Sequence, residues 1–148
     1  VLHNGMYDLM FLLSHFGERL AEELHEFKAQ VKACFPELYD TKTVSELPEL
    51  RPYFASSSLK DVYQTVRREI PGASIVFPSG FQKYTLDNLH NAGWDSFASG
   101  FIYARLRGLI HSEKHLGKVS NRLWLIKSLY TVCLEPGVED ALQREDDA

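Results

Sequence analysis

The sequence predicts a single α/β domain, and three observations carry that prediction. Apolar residues recur at helical spacing in several long segments. Shorter apolar stretches of different character, Val1-Leu2 and Glu37 to Val44, read as strand ends between them. A length of 148 residues with 45% hydrophobic content is enough for one real core and too little for two comfortable domains.

Val1-Leu2 is an apolar stub running into Asn4-Gly5, which makes sense as the exit of a longer strand, so the domain is expected to start upstream. Met6 to Phe16 carries apolar residues at 6, 9, 10, 12, 13 and 16, a helical stripe that Gly17 can stop. Leu20 to Phe35 repeats the pattern at 20, 24, 27, 31, 34 and 35, and Pro36 closes it. Glu37 to Val44 is predicted to be a strand ending at a functional edge.

Ser58 with Asp61 forms a capping-box-like start to a helix whose stripe is Leu59, Val62, Tyr63, Val66 and Ile70. Prolines, glycines and serines make Pro71 to Thr85 a loop. Leu86 to Ile110 is predicted to be helical, with Gly93 as a kink or pause. Arg122 to Leu134 fits either a strand or a helix. The domain is read as residues 1–134, and the segment 135–148 as an acidic tail with too little apolar area to offset its ordering entropy.

The formal charge of −4 comes from that tail, which holds six acids against Arg144; residues 1–134 carry 15 basic and 14 acidic residues. Net charge therefore argues neither for nor against a nucleic-acid partner. No apolar run reaches the roughly 18 residues of a membrane helix, and nothing resembles a secretion signal. Cys34 and Cys133 sit among apolar neighbours and are expected to be buried free thiols, in keeping with a reducing, intracellular compartment, whether cytoplasmic, nuclear or organellar. Gly-x-Ser-x-Gly and phosphate-loop motifs are absent. His111 and His115 lie four apart, but without a His-Glu-x-x-His frame they read as a solvated turn.

Two segments concentrate groups with chemistry: His3-Asn4-Gly5-Met6-Tyr7-Asp8 and His90-Asn91-Ala92-Gly93-Trp94-Asp95. Carboxylates drawn from separate segments are what a hard cation such as magnesium needs, and an imidazole near its working pH suits a general base. Taken singly, Asp8 and Asp95 are also what a first helical turn favours.

The ordered set is more specific than its members. His-Asn-x-x-x-Asp before a helix, then Phe35-Pro36-Glu37-Leu38-Tyr39-Asp40-Thr41-Lys42, then Leu89-His90-Asn91-Ala92-Gly93-Trp94-Asp95-Ser96-Phe97 resembles the poly(A)-specific ribonuclease family of deadenylases, over nearly all of residues 1–134. The resemblance implies an RNase H-like exonuclease fold with a four-carboxylate-plus-histidine site that uses two Mg2+ ions to hydrolyse RNA from its 3′ end and release 5′-nucleotides. It implies Asp8 and Asp95 as the third and fourth carboxylates and metal ligands, His90 as general base, and Asn4 as a cleft residue. Lys42 and Leu59 match positions that approach the bound adenylate, Lys42 as a charge donor and Leu59 as an apolar surface for a base; the alternatives are a solvated strand-end charge for Lys42 and simple core packing, the favoured reading, for Leu59. RNA with a poly(A) 3′ end is the implied partner, in a homodimer or a larger ribonucleoprotein assembly.

One departure is large. The first two carboxylates of the family come from an Asp-x-Glu motif, and the sequence contains no Asp-x-Glu. The fold is therefore expected to be incomplete and the chain alone inactive. The alternative is a non-catalytic relative that uses the same fold as a scaffold or RNA-binding subunit.

Overall fold

The computed structural model describes residues 1–17, 19–72, 74–76, 79, 91–110, 113–128, 130–138 and 140–142. Helices and a small sheet follow one another along the chain. α1 spans Met6–Phe16, α2 Leu24–Cys34, α3 Thr41–Ser45, α4 Leu59–Glu69, α5 Ala92–Leu106 and α6 Glu113–Val119. Strands β1 (Arg122–Trp124), β2 (Tyr130–Cys133) and β3 (Ala141–Leu142) form an antiparallel sheet in the order β1-β2-β3. No described helix is long and apolar enough to cross a membrane.

Two apolar cores organise these elements. The larger gathers Val44, Leu47, Leu50 and Phe54 around the facing stripes of α4 (Val62, Tyr63, Val66) and α5 (Trp94, Ala98, Phe101, Ile102). Tyr63 stacks edge-on against Trp94 with ring centroids 5.6 Å apart, an arrangement aromatic quadrupoles favour. The smaller core packs Leu9 and Leu13 of α1 and Phe27 and Val31 of α2 on Leu123 and Val132 of the sheet.

α1 has the bounds its periodicity predicts, but its stripe is not all core. Leu9 and Leu13 are buried, whereas Leu12 and Phe16 are exposed. α2 begins at Leu24 rather than Leu20, because Gln30 reaches back to accept from Ala21 N (3.1 Å) and donate to the Arg19 carbonyl (3.0 Å), holding that segment against the helix. α4 begins as the capping box requires: Ser58 Oγ accepts from Asp61 N at 3.2 Å. In α5 Asn91 is the N-cap, its side chain accepting from Gly93 N at 3.0 Å, so Gly93 lies in the first turn and makes no kink there. The loop expected over Pro71–Thr85 and the helix expected from Leu86 to His90 fall largely outside the described residues.

The strand expected over Glu37–Val44 is reduced to two bridges, Leu2 with Asp40 and Tyr39 with Ser120, and then turns into α3. Asp40 causes the turn. Its buried carboxylate caps α3 by accepting from Lys42 N (3.0 Å), and it also accepts from Asn4 N (2.7 Å), Gly5 N (3.3 Å) and Trp124 N (3.1 Å). Burial pushes this carboxyl above its ordinary range, and the four N–H groups pull it back.

Arg122 to Leu134 resolves as the β1-β2 hairpin, with Leu123 opposite Val132. The acidic tail is used rather than left loose at its start. Glu135 pairs with Lys32 (2.8 Å), and Asp140 pairs with Lys28 (2.8 Å) while accepting from Cys133 N (2.8 Å), so α2 supplies the cations that hold Glu135 and Asp140 beside the sheet. The Lys32 ammonium holds the Glu135 carboxyl below its usual value. Cys133 is buried as expected; Cys34, at the end of α2, is exposed.

Replacing Asp40 with Asn leaves one oxygen to serve four backbone donors. Asp40→Asn is expected to lower unfolding free energy by about 2–4 kcal/mol, read as a drop in the urea midpoint at unchanged m-value; a midpoint within error of wild type would show that the carboxylate has no such role.

Candidate active site

The site begins with the loop between Leu2 and α1. Leu2 pairs with the 39–41 segment, donating to the Tyr39 carbonyl (2.9 Å) and accepting from Thr41 N (2.8 Å). The chain must then reverse into a helix within three residues. Asn4 makes the reversal in the left-handed region (φ 56°), which Asn tolerates better than most residues. Gly5 passes so close to Leu2 that a Cβ there would lie 2.7 Å from the Leu2 side chain, so no larger residue fits without a shift. Both N–H groups end on Asp40. The His-Asn-Gly sequence is thus a hinge clamped by a carboxylate, and it launches α1 with Asp8 in the first turn.

His3 closes the loop from the other side. Its Nε2 lies 3.0 Å from the Ser57 carbonyl and its Nδ1 2.9 Å from Thr41 Oγ1. A carbonyl only accepts, so Nε2 carries the proton. Burial pushes the imidazole down to about 4, with the Ser57 bond opposing and the nearby Lys42 charge assisting. His3 is therefore a neutral bracket between the hinge and the segment leading into α4.

α1, α4 and α5 enclose a cleft of about 790 Å³. Asp8 and Asp95 both line it, as do Asn4 and Leu59. Asp8 is exposed and Asp95 half-buried, each in the first turn of its helix. The buried Oδ1 of Asn4 has no hydrogen-bond partner among the described residues. Trp94, adjacent to Asp95, forms part of the floor and anchors α5 in the larger core.

Four of the six residues singled out by sequence are thereby brought together: Asp8, Asp95, Asn4 and Leu59. Leu59 packs against the larger core and also lines the cleft. Lys42 sits elsewhere, with its ammonium 5.4 Å from the centre of the Trp124 ring. His90 lies outside the described residues. Among the described residues no group of three or more His, Cys, Asp or Glu side chains is arranged to hold a metal ion. His115 belongs to α6 rather than a free turn and pairs through Nδ1 with Glu49 (2.6 Å).

The periodicity does not single out Phe11, His15 or Lys60, yet all three line the cleft. A signal for Phe11 exists in the sequence. α1 has apolar residues at 6, 7, 9, 10, 11, 12, 13 and 16, more than one buried face can absorb.

A depressed imidazole binds fewer protons in the folded chain than in the unfolded one, so its contribution is present above about pH 6.5 and is lost as pH falls toward 4. Acidification across that window is expected to cost up to about 3 kcal/mol. Urea titrations at pH 7 and pH 4.5 test this: His3→Gln should show a smaller acid-induced loss than wild type, and identical losses would exclude His3 as the source.

The family model described as CAF1 family ribonuclease matches residues 1–103. Among curated proteins, the chain is 28% identical over 113 residues to the poly(A)-specific ribonuclease PARN of Danio rerio, covering 74% of this chain and 17% of the relative. It is 30% identical over 115 residues to the poly(A)-specific ribonuclease PNLDC1 of Homo sapiens, covering 73% and 22%. It is 27% identical over 113 residues to the pre-piRNA 3′-exonuclease trimmer of Bombyx mori, covering 70% and 21%. The chain spans about a fifth of the length of these relatives.

Proposed function

Because the chain belongs to the CAF1 family of ribonucleases, we propose that it forms part of a metal-dependent 3′→5′ exoribonuclease acting on RNA with a poly(A) 3′ end and releasing 5′-nucleotides. The observation that carries this reading is that two helices far apart in sequence deliver Asp8 and Asp95 to one cleft.

The cleft chemistry fits a divalent metal in part. Mg2+ takes hard oxygen ligands and keeps several waters, so the two carboxylates, with Asn4 lining the same cleft, suit a portion of such a set. When bound, the ions supply charge neutralisation at the scissile phosphate and a water ready for deprotonation. Asp8 and Asp95 would supply two of the carboxylate ligands. The Asp40 clamp and the Asn91 cap keep each acid at the head of its helix. His90, one residue before that cap, is assigned the proton of the attacking water on the family resemblance. Lys42 and Leu59 are assigned to the terminal nucleotide on the same ground; of the two, Leu59 reaches the cleft.

A four-carboxylate site needs two further acids, and the sequence has no Asp-x-Glu to provide them. The 148-residue chain by itself is accordingly expected to release no nucleotide, and the activity belongs to the protein that supplies the complete set.

The test is hydrolysis of a 5′-labelled oligoadenylate in magnesium by the full-length parent. Asp8→Asn and Asp95→Asn should each cut kcat on the order of a hundredfold or more, with His90→Ala similarly impaired. A parent that leaves the strand intact, or variants as fast as wild type, would remove the nuclease assignment and favour an RNA-binding or scaffold role.

A further inference from the structure

α1 turns five residues toward the cleft: Asp8, Phe11, Leu12, His15 and Phe16. Their spacing of three and four places them on one broad face, flanked on one side by the buried Leu9 and Leu13. This face is aromatic and wet. Phe11 is 64% and Phe16 86% exposed. The His15 ring is held beside Phe11, with centroids 6.1 Å apart and Nδ1 2.8 Å from the Phe11 carbonyl. From α4, Leu59 and the exposed Lys60 face the same cleft.

We propose that the cleft face of α1 is a stacking platform for the unpaired bases of the RNA strand whose 3′ end reaches Asp8 and Asp95, with Lys60 taking a backbone phosphate. This rests on the nuclease reading and adds where the substrate lies. The choice of occupant follows from what shares the cleft. A nonpolar helix or a second copy laid on Phe11 and Phe16 would bury Asp8 and Asp95 with it, away from water and without a counter-ion, which is costly. A single strand brings flat π-faces for the rings and an anionic backbone for Lys60, and it leaves the acids in a polar, hydrated groove. Paired bases hide those faces, so the platform selects unpaired ends. From Asp8 to Phe16 the helix rises about 12 Å, room for a few nucleotides stacked about 3.4 Å apart. The strand would therefore run along α1, its 3′ end at the first turn and its upstream bases toward Phe16. Stacking of this kind tolerates every base, so the platform gives grip on single strands without choosing adenine.

Fluorescence anisotropy of a 5′-labelled, unpaired oligoadenylate in magnesium, set beside an abasic strand of equal length, tests the platform on the full chain. The variants are Phe11→Leu, Phe16→Leu, the double change and Phe16→Trp; leucine is a strong helix former and both sites are exposed, so the fold is retained. The double variant should bind oligoadenylate about tenfold more weakly or worse, with the abasic strand unaffected and Phe16→Trp close to wild type. Equal affinity of wild type and double variant, or an equal loss for the abasic strand, overturns the proposal. So does sedimentation showing that the double change splits a dimer while RNA affinity stays constant, which would make this face an interface between copies. In the parent nuclease assay the double variant should raise KM with kcat preserved. A parent that hydrolyses RNA with KM unchanged in the double variant removes the platform and leaves the nuclease reading standing, whereas a parent inert toward RNA removes both.

Discussion

One buried carboxylate holds three separate parts of the chain in register. Asp40 accepts from Asn4 and Gly5 in the hinge, from Lys42 at the start of α3 and from Trp124 in β1. Any of these backbone donors, buried and unpaired, would cost as much as a lost hydrogen bond. Together they make a junction that neither core could provide, because hydrophobic contact is non-directional and cannot set where a helix starts. The residue lies between Tyr39, which packs in the larger core, and Thr41, which is bonded to Leu2 and His3. Cleft geometry descends from that position: the hinge sets the angle of α1, and α1 sets the place of Asp8.

The cleft exists because the two cores are not fused. α1 belongs to the smaller core and α4 and α5 to the larger one, so the groove between them is lined by side chains that neither core absorbs. Acids at the heads of α1 and α5 meet there with the aromatic face of α1 and Leu59 of α4. Such a mixture is unfavourable as a packing interface, since carboxylates resist burial with hydrocarbon. It suits a ligand that is itself both charged and flat. Membership in the CAF1 family, shown over residues 1–103, gives this combination a chemical context.

Legibility in the sequence tracked how local the controlling physics was. α1 and α4 match their predicted bounds because periodicity, Gly17 and the Ser58–Asp61 cap act within a few residues. The expected strand at Glu37–Val44 gives way to α3, which Asp40 caps locally through Lys42 N; what no window along the chain can register is that the same carboxylate also takes donors 36 and 84 residues away. The start of the acidic tail is ordered for the same reason: its partners, Lys28 and Lys32, are more than a hundred residues distant. Asp8 and Asp95 were recognisable as an ordered motif, but their arrival in one cleft depended on the Asp40 clamp and the Asn91 cap.

Residue type and short spacing alone were enough for the helical stripes, the capping of α4 and the family. Tertiary structure decided which apolar residues of α1 are core and which face the cleft. A helix with apolar residues around most of its circumference leaves that choice open; only the placement of α2 and the sheet on one side, and of α4 and α5 across the groove, turned Leu9 and Leu13 inward and set Phe11 and Phe16 beside Asp8.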